Sequence, residues 1–100
     1  MTSLSSEASR AKVRVDLQDN DETAILVAAI RKDNPEVVVT HLPGIVKVTS
    51  PTELVIRRES VEAASGKTWD PNEFQLQLVT YYGHFSTWDE DEILISWPKH

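Results

Sequence analysis

The run Leu54-Val55-Ile56-Arg57-Arg58-Glu59-Ser60-Val61-Glu62-Ala63-Ala64-Ser65-Gly66-Lys67-Thr68-Trp69-Asp70-Pro71-Asn72-Glu73 leaves the chain few choices of local structure. Its apolar, mostly β-branched start predicts a strand that ends at the two arginines. Glu59 to Ser65 predicts a short helix, and Gly66 stands where a left-handed residue closes helices. Asp70-Pro71-Asn72-Glu73 is a helix start, with Asp as N-cap, Pro in the first helical position and Glu completing a capping box. A strand, a helix stop and a capped turn this close together define a corner. The run supplies no nucleophile, metal cage or phosphate cradle, so the work of the chain is expected at its surface.

Around that corner, hydrophobic periodicity organises the rest. Val13, Val15 and Leu17 alternate with Arg14 and Asp16, the pattern of a half-buried strand. Asp19-Asn20-Asp21-Glu22 predicts an N-cap with a capping-box Glu three residues on. Ile25, Leu26, Ala29 and Ile30 share one face of the following helix, which Asn34-Pro35 ends because the residue before proline is pushed out of the helical region. Val37 to His41 reads as a strand, Leu42-Pro43-Gly44 as a turn, and Ile45, Val46 and Val48 as a second strand. Ser50-Pro51-Thr52 turns again before Leu54-Val55-Ile56. The expectation is a three-strand antiparallel meander packed on the first helix.

Leu76 and Leu78 alternate with Gln75 and Gln77, so the capped helix is expected to give way to a strand reaching Tyr82, where Gly83 interrupts it. The acidic loop Asp89 to Glu92 leads into a last strand, Ile93 to Trp97. The predicted fold is a small single α+β domain. Its βαββ-type first half (strand, helix, three-strand meander) is followed by short helices and a C-terminal β-hairpin. Residues 1–11, rich in Ser, Ala and charge and without periodicity, are expected to form a flexible N-terminal arm, with the folded domain over 12–100.

Composition removes several classes of function. One hundred residues make one domain that buries about two-thirds of its unfolded surface, with little room for a large internal site. Ten basic residues scattered among sixteen acids, for a net charge of −6, argue against nucleic acid and against anionic membrane surfaces. Zero cysteines exclude disulfides and thiolate chemistry. Met1-Thr-Ser-Leu-Ser-Ser lacks the pattern of an export signal and no long apolar run follows, so the expected location is cytoplasmic.

Catalytic signals are equally sparse. His41, His84 and His100 have no metal-ligand spacing, and no metal or cofactor is expected. Neither Ser50 nor Ser86 sits in a nucleophile elbow. Asp89-Glu90-Asp91-Glu92 lacks the alternation and central Gly of a calcium loop. It reads better as a solvated hairpin tip whose charge discourages edge pairing, or as a group that steers the chain onto a basic partner.

Surface candidates follow. Of Arg57 and Arg58, one should point outward and the other lean over the sheet edge. Pairing with Glu53, Glu59 or Glu62 is the ordinary role, and anchoring an interface is the functional one. Trp69 and Trp97 are expected to complete the core. Trp88, beside the acidic loop, is a costly indole to expose without a partner. With Leu42, Pro43 and Gly44 at their turn, and Tyr82 and His84 flanking Gly83, these residues form the candidate partner-binding set.

In order along the chain, Asp33-Asn34-Pro35, Pro43-Gly44-Ile45-Val46-Lys47-Val48, Leu54-Val55-Ile56-Arg57-Arg58-Glu59, Gly66-Lys67-Thr68-Trp69-Asp70 with Glu73, Gly83, the acidic run and Ile95-Ser96-Trp97 make a pattern over roughly 13–97. This pattern resembles the effector (coupling, or regulatory) proteins of bacterial soluble diiron multicomponent monooxygenases. The compact termini look most like the phenol hydroxylase branch and its relatives acting on propane and other short alkanes. His84-Phe85-Ser86-Thr87-Trp88 departs from that branch in being more aromatic and less acidic.

The resemblance implies a cofactor-free protein that docks on the large subunit of a diiron hydroxylase, near its active-site groove. It would tune turnover, regioselectivity and the coupling of reductase electrons to oxidation of a phenolic, aromatic or short-alkane substrate. Such an effector must bind one hydroxylase conformation more tightly than another. The competing readings are a small-ligand-binding or enzymatic domain and a generic interaction module. The first would hold a ligand by itself, and the second would bind without changing turnover.

Overall fold

The computed structural model describes residues 12–98; the arm expected at 1–11 and His100 lie outside the described residues. The elements run β1 (Val13–Gln18), α1 (Asp21–Asp33), β2 (Val38–Leu42), β3 (Ile45–Ser50), β4 (Glu53–Arg57), α2 (Arg58–Ser65), a 3₁₀ turn (Pro71–Glu73), the single turn α3 (Phe74–Gln77), β5 (Leu78–Tyr82), β6 (His84–Trp88) and β7 (Glu92–Ser96). The strands form two antiparallel sheets, ordered β2-β3-β1-β5 and β4-β7-β6. The α+β class and the closing β6–β7 hairpin are as expected.

The alternation in β1 does what its period predicts. Val13, Val15 and Leu17 are buried, and in register Val15 meets Val48 while Leu17 meets Val46. Against them α1 buries Leu26, Ala29 and Ile30. That helix starts one residue later than the expected Asp19–Glu22 box. Asn20 is the N-cap, its side chain accepting the Thr23 N–H at 2.9 Å. Asp21 and Glu22 fill the first turn and Arg31 and Lys32 the last, which favours the helix dipole at both ends.

The third strand of the expected meander leaves the first sheet. At Ser50-Pro51-Thr52 the chain has no proline N–H to continue the ladder, and the Ser50 hydroxyl donates to the Glu53 carbonyl. β4 therefore turns away and pairs with β7, setting Leu54 against Ile95 and Ile56 against Ile93. Its other edge is not bare. The Asn34 side chain accepts the Val55 N–H at 2.9 Å and donates to the Val55 carbonyl at 2.7 Å, while also donating to the Ile30 carbonyl at 2.8 Å. The residue that ends α1 thus stands in for a neighbouring strand along β4.

The two sheets meet at Gly83, between β5 and β6. Its φ is +141°, and a Cβ there would lie 2.7 Å from Ile95 Cγ2 and 3.1 Å from Val13 Cγ1. Only backbone fits between a strand of one sheet and a strand of the other. Phe74 and Trp69 close the core from the corner side.

Two further expectations change. Trp97 keeps the inward parity of Ile93 and Ile95 but follows the last paired residue, Ser96, so no strand covers it. It is 39% exposed, and its indole N–H donates to the Lys12 carbonyl. Leu76 lies in the α3 turn, not in a strand, and is 67% exposed. The helical turn continues until Leu78, where β5 begins.

Candidate docking surfaces

The corner encoded by 54–73 builds one concave surface. Gly66 closes α2 with φ +77° and donates its N–H to the Glu62 carbonyl. The Glu62 carboxylate then accepts the Trp69 N–H at 2.9 Å and sits 3.5 Å from Arg58 Nε. Asp70 accepts the Asn72 N–H, and Glu73 accepts the Asp70 N–H at 3.0 Å, completing the expected capping box. Opposite, Asp89 Oδ1 accepts the N–H groups of Asp91 and Glu92, both at 2.9 Å. Those two bonds hold the Asp89 carboxyl below its ordinary pKa. Between these walls lies an open cleft of about 640 Å³ lined by Arg58, Glu62, Thr68 to Glu73 and Trp88 to Glu90.

Four carboxylates of this cleft, those of Glu62, Asp70, Glu73 and Asp89, accept backbone N–H groups of the corner and its facing turn, so much of its acidity is structural. Arg58 is half-buried and donates to the Glu90 carbonyl at 3.3 Å, tying α2 to the β6–β7 turn. Trp88 is half-buried, not bare. Its ring lies 6.0 Å from Phe74 and 4.9 Å from Phe85, and its indole N–H donates to Asn72 Oδ1 at 3.2 Å. Phe85 meets Tyr81 at 4.6 Å, so an aromatic row runs from exposed Tyr81 to buried Phe74.

Arg57 does point outward, as strand alternation requires. It lies opposite Glu92 on the outer face of the three-stranded sheet, and His84 lies on the same face at the other end, opposite Ser96.

The four-stranded sheet presents a different surface. With Val13, Val15 and Leu17 turned inward, Arg14 and Asp16 occupy the outer face. Register puts Tyr82 and Thr49 beside Arg14, Lys47 and Thr80 beside Asp16, and Leu42 beside Ile45. The Arg14 guanidinium carbon stands 4.1 Å from the Tyr82 ring centroid, and its Nε is 3.1 Å from Asp16 Oδ1. Asp16 is only 7% exposed in the middle of an otherwise open face. The Leu42-Pro43-Gly44 turn closes one end, held to β1 by the Asp19 N–H donating to the Gly44 carbonyl at 3.2 Å.

The structure therefore divides the candidate residues. Leu42 and Tyr82 share the outer face of the four-stranded sheet, with Pro43 and Gly44 at its end. Arg57 and His84 share the outer face of the other sheet, and Arg58 and Trp88 belong to the cleft. Sequence reasoning missed Val38, Leu76, Val79 and Tyr81, which with Leu42 and Tyr82 make up the exposed large apolar side chains among the described residues apart from Trp97. The run Val37-Val38-Val39 looks like a strand buried on both faces. Only the sheet order, which puts β2 at an edge, shows that Val38 faces out. Among the described residues no group of three or more His, Cys, Asp or Glu could hold a metal, and no helix is long and apolar enough to cross a membrane.

Comparison with known proteins agrees along almost the whole chain. Phenol 2-monooxygenase, stimulatory component DmpM, from Pseudomonas sp. (strain CF600) is 36% identical over 87 residues, covering 87% of this chain and 96% of that protein. Among solved structures, a chain of a phenol hydroxylase–regulatory protein complex superposes with TM-score 0.82 at 30% identity, covering 87% of this chain and 99% of that one. A second structure of such a complex gives TM-score 0.76 at 31% identity, covering 86% and 99%. The model of the MmoB/DmpM family matches residues 11–96, and the chain belongs to that family.

Proposed function

We propose that this chain is a non-catalytic effector that binds the hydroxylase of a soluble diiron monooxygenase of the phenol hydroxylase type and raises its productive turnover. The supporting observation is coverage. The chain spans 99% of a protein chain solved within a hydroxylase–regulatory protein complex, at TM-score 0.82, so nearly all of that relative's fold has a counterpart here. The stimulatory role named for the CF600 relative points the same way.

On this reading the chain acts in the cytoplasm without a cofactor of its own. It couples reductase electrons to hydroxylation of a phenolic or related aromatic or short-alkane substrate. It does so by differential affinity, since a tenfold preference for the active hydroxylase conformation shifts that equilibrium by about 1.4 kcal/mol. The candidate contacts are Leu42, Pro43, Gly44 and Tyr82, with His84 and Arg57 on the outer face of the three-stranded sheet and Arg58 and Trp88 in the corner cleft.

The test is reconstitution. Added to its cognate hydroxylase and reductase, the chain is expected to raise product formed per reduced nicotinamide consumed, saturating near equimolar protein. An unchanged ratio at saturation would end this reading. Tight binding of a small molecule by the isolated chain would favour the ligand-binding alternative.

A further inference from the structure

Each sheet has two edge strands, β2 and β5 in the four-stranded sheet and β4 and β6 in the three-stranded one. An uncovered edge offers a row of backbone N–H and C=O groups to any strand that can pair with it. Three of these four edges are blunted. Asn34 occupies the backbone groups of Val55 on β4. β5 carries an extra residue, Val79, between the partners of Asp16 and Leu17, and β6 carries Ser86 between the partners of Ile95 and Leu94. Such bulges bend a strand and break its ladder. β2 has neither device. Its pairing with β3 is regular over Val38–Leu42, it holds no Asp, Glu, Lys or Arg, and among the described residues no strand lies beyond it.

The hydrogen-bond parity of the sheet decides which groups of β2 are free. The Asp19 N–H donates to the Gly44 carbonyl, in register with the pairing of Leu17 with Val46 and Val15 with Val48. Opposed residues in an antiparallel ladder alternate between bonded and non-bonded pairs. Val46 and Val48 therefore bond to β1, while Ile45, Lys47 and Thr49 bond to Leu42, Thr40 and Val38 of β2. That leaves the N–H and C=O groups of Val39 and His41 pointing out of the sheet edge. The Val37 N–H, which shares their parity, is already given to the Asn34 carbonyl, and Pro43 has none.

We propose that β2 pairs with β2 of a second copy of the chain, antiparallel about a two-fold axis at Thr40, joining two four-stranded sheets into one of eight strands. The register selects this occupant, because β2 complements itself. With Thr40 opposite the partner's Thr40, Val39 exchanges both backbone hydrogen bonds with the partner's His41, and His41 with the partner's Val39. On the outer face Val38 and Leu42, 62% and 42% exposed in the single chain, meet the partner's Leu42 and Val38. These are non-hydrogen-bonded pairs, in which side chains approach most closely. An axis at Val39 would set Glu36 against the partner's Leu42, and an axis at His41 would put Pro43 where a donor is needed. Two chains of −6 repel each other, so the pair tightens with added salt. One strand edge is a small contact beside the interface of a stable dimer, and a dissociation constant of about 0.1 to 1 mM is expected.

The test uses the full chain alone, so its result neither requires nor decides the effector reading. Sedimentation equilibrium up to about 2 mM should show a monomer–dimer equilibrium that shifts toward dimer in salt. Thr40→Lys sets like charges across the axis and is expected to raise the dissociation constant about tenfold or more. Its thermal midpoint should stay at the wild-type value, because Thr40 is exposed. Thr40→Cys gives the chain its only thiol. At the axis the two Cα atoms would stand about 4.5 Å apart, within disulfide reach. Under oxidised glutathione this variant is expected to form a disulfide dimer about tenfold faster than Val38→Cys, whose thiols would be offset by about 13 Å along the strands.

A chain that stays monomeric throughout that range overturns the proposal. So does a dimer that Thr40→Lys leaves intact, or equal oxidation of the two cysteine variants, since either result puts the contact on another surface.

Discussion

The two sheets of this protein handle their surfaces in opposite ways. The three-stranded sheet and its corner are tied off: Asn34 completes the β4 edge, Glu62, Asp70, Glu73 and Asp89 cap neighbouring backbone, and Arg58 clamps the far turn. The four-stranded sheet leaves Val38, Leu42, Tyr81 and Tyr82 uncovered on its edge strands. Polar groups with assigned partners stiffen a structure, whereas uncovered apolar area is useful only once something covers it. The contrast separates a half whose polar groups are tied to its own backbone from a half with open apolar side chains. It can be broken at the seam, at the tied edge, at the capped turn and at the acidic tip.

The seam should give the largest effect. Gly83→Ala forces a side chain into contact with Ile95 and Val13 and a backbone conformation that L-residues avoid. Strain and overpacking together predict a loss of about 2 to 5 kcal/mol, read from urea unfolding. A loss well under 1 kcal/mol would mean that the sheets can separate at the seam and do not behave as two faces of one body.

Next comes the tied edge. Asn34→Ala removes three side-chain hydrogen bonds and leaves the Val55 N–H and carbonyl without partners. The expected cost is about 2 to 3 kcal/mol, with faster hydrogen exchange at the Val55 amide as the local signature. Unchanged exchange at Val55 would show that β4 does not depend on Asn34. The capped turn is a smaller matter. Asp70→Ala should cost about 1 kcal/mol by losing the cap of the 3₁₀ turn while its capping-box partner Glu73 stays.

How far the sequence revealed this division depends on the range of the interactions concerned. The corner was readable because its signals are local: Gly66 and the Asp70–Glu73 box sit within a few residues of the groups they cap. The same holds for β1, where alternation alone names Val13, Val15 and Leu17 as core. The destination of β4 was not readable, since nothing within Leu54 to Ile56 distinguishes a third meander strand from a partner of β7 more than thirty residues on. That choice also hides the open face. Until β2 and β5 are known to be edges, Val38 and Tyr82 look like ordinary strand residues. Trp88 misled for a related reason: besides Phe85 of its own strand, its cover comes from Phe74 and Asn72, which belong to other elements. Asn34 announced a helix end, and its second role at Val55 lies twenty-one residues away.

The acidic tip gives the smallest effect on stability and the finest test of the contrast. Asp89 is fully exposed, and its carboxyl is held below the ordinary value of 3.8 chiefly by the Asp91 N–H and next by that of Glu92. A depressed carboxylate contributes its stability above the unfolded value and loses it as pH falls through the lower folded one. Urea midpoints followed from about pH 6 down to about pH 2.5 should therefore decline slightly below about pH 4 because of this residue. Asp89→Asn keeps an oxygen that can accept the two N–H bonds but cannot titrate, so its decline should be shallower than that of wild type. At neutral pH the same variant removes one negative charge from the tip without opening the turn. If the tip only holds shape, hydroxylase stimulation by Asp89→Asn matches wild type, and a curve displaced toward higher effector concentration would make the acidic turn a steering group. The acidic turn would then act on the partner as well as on its own backbone, and the view of the corner as a half that only holds shape would fail.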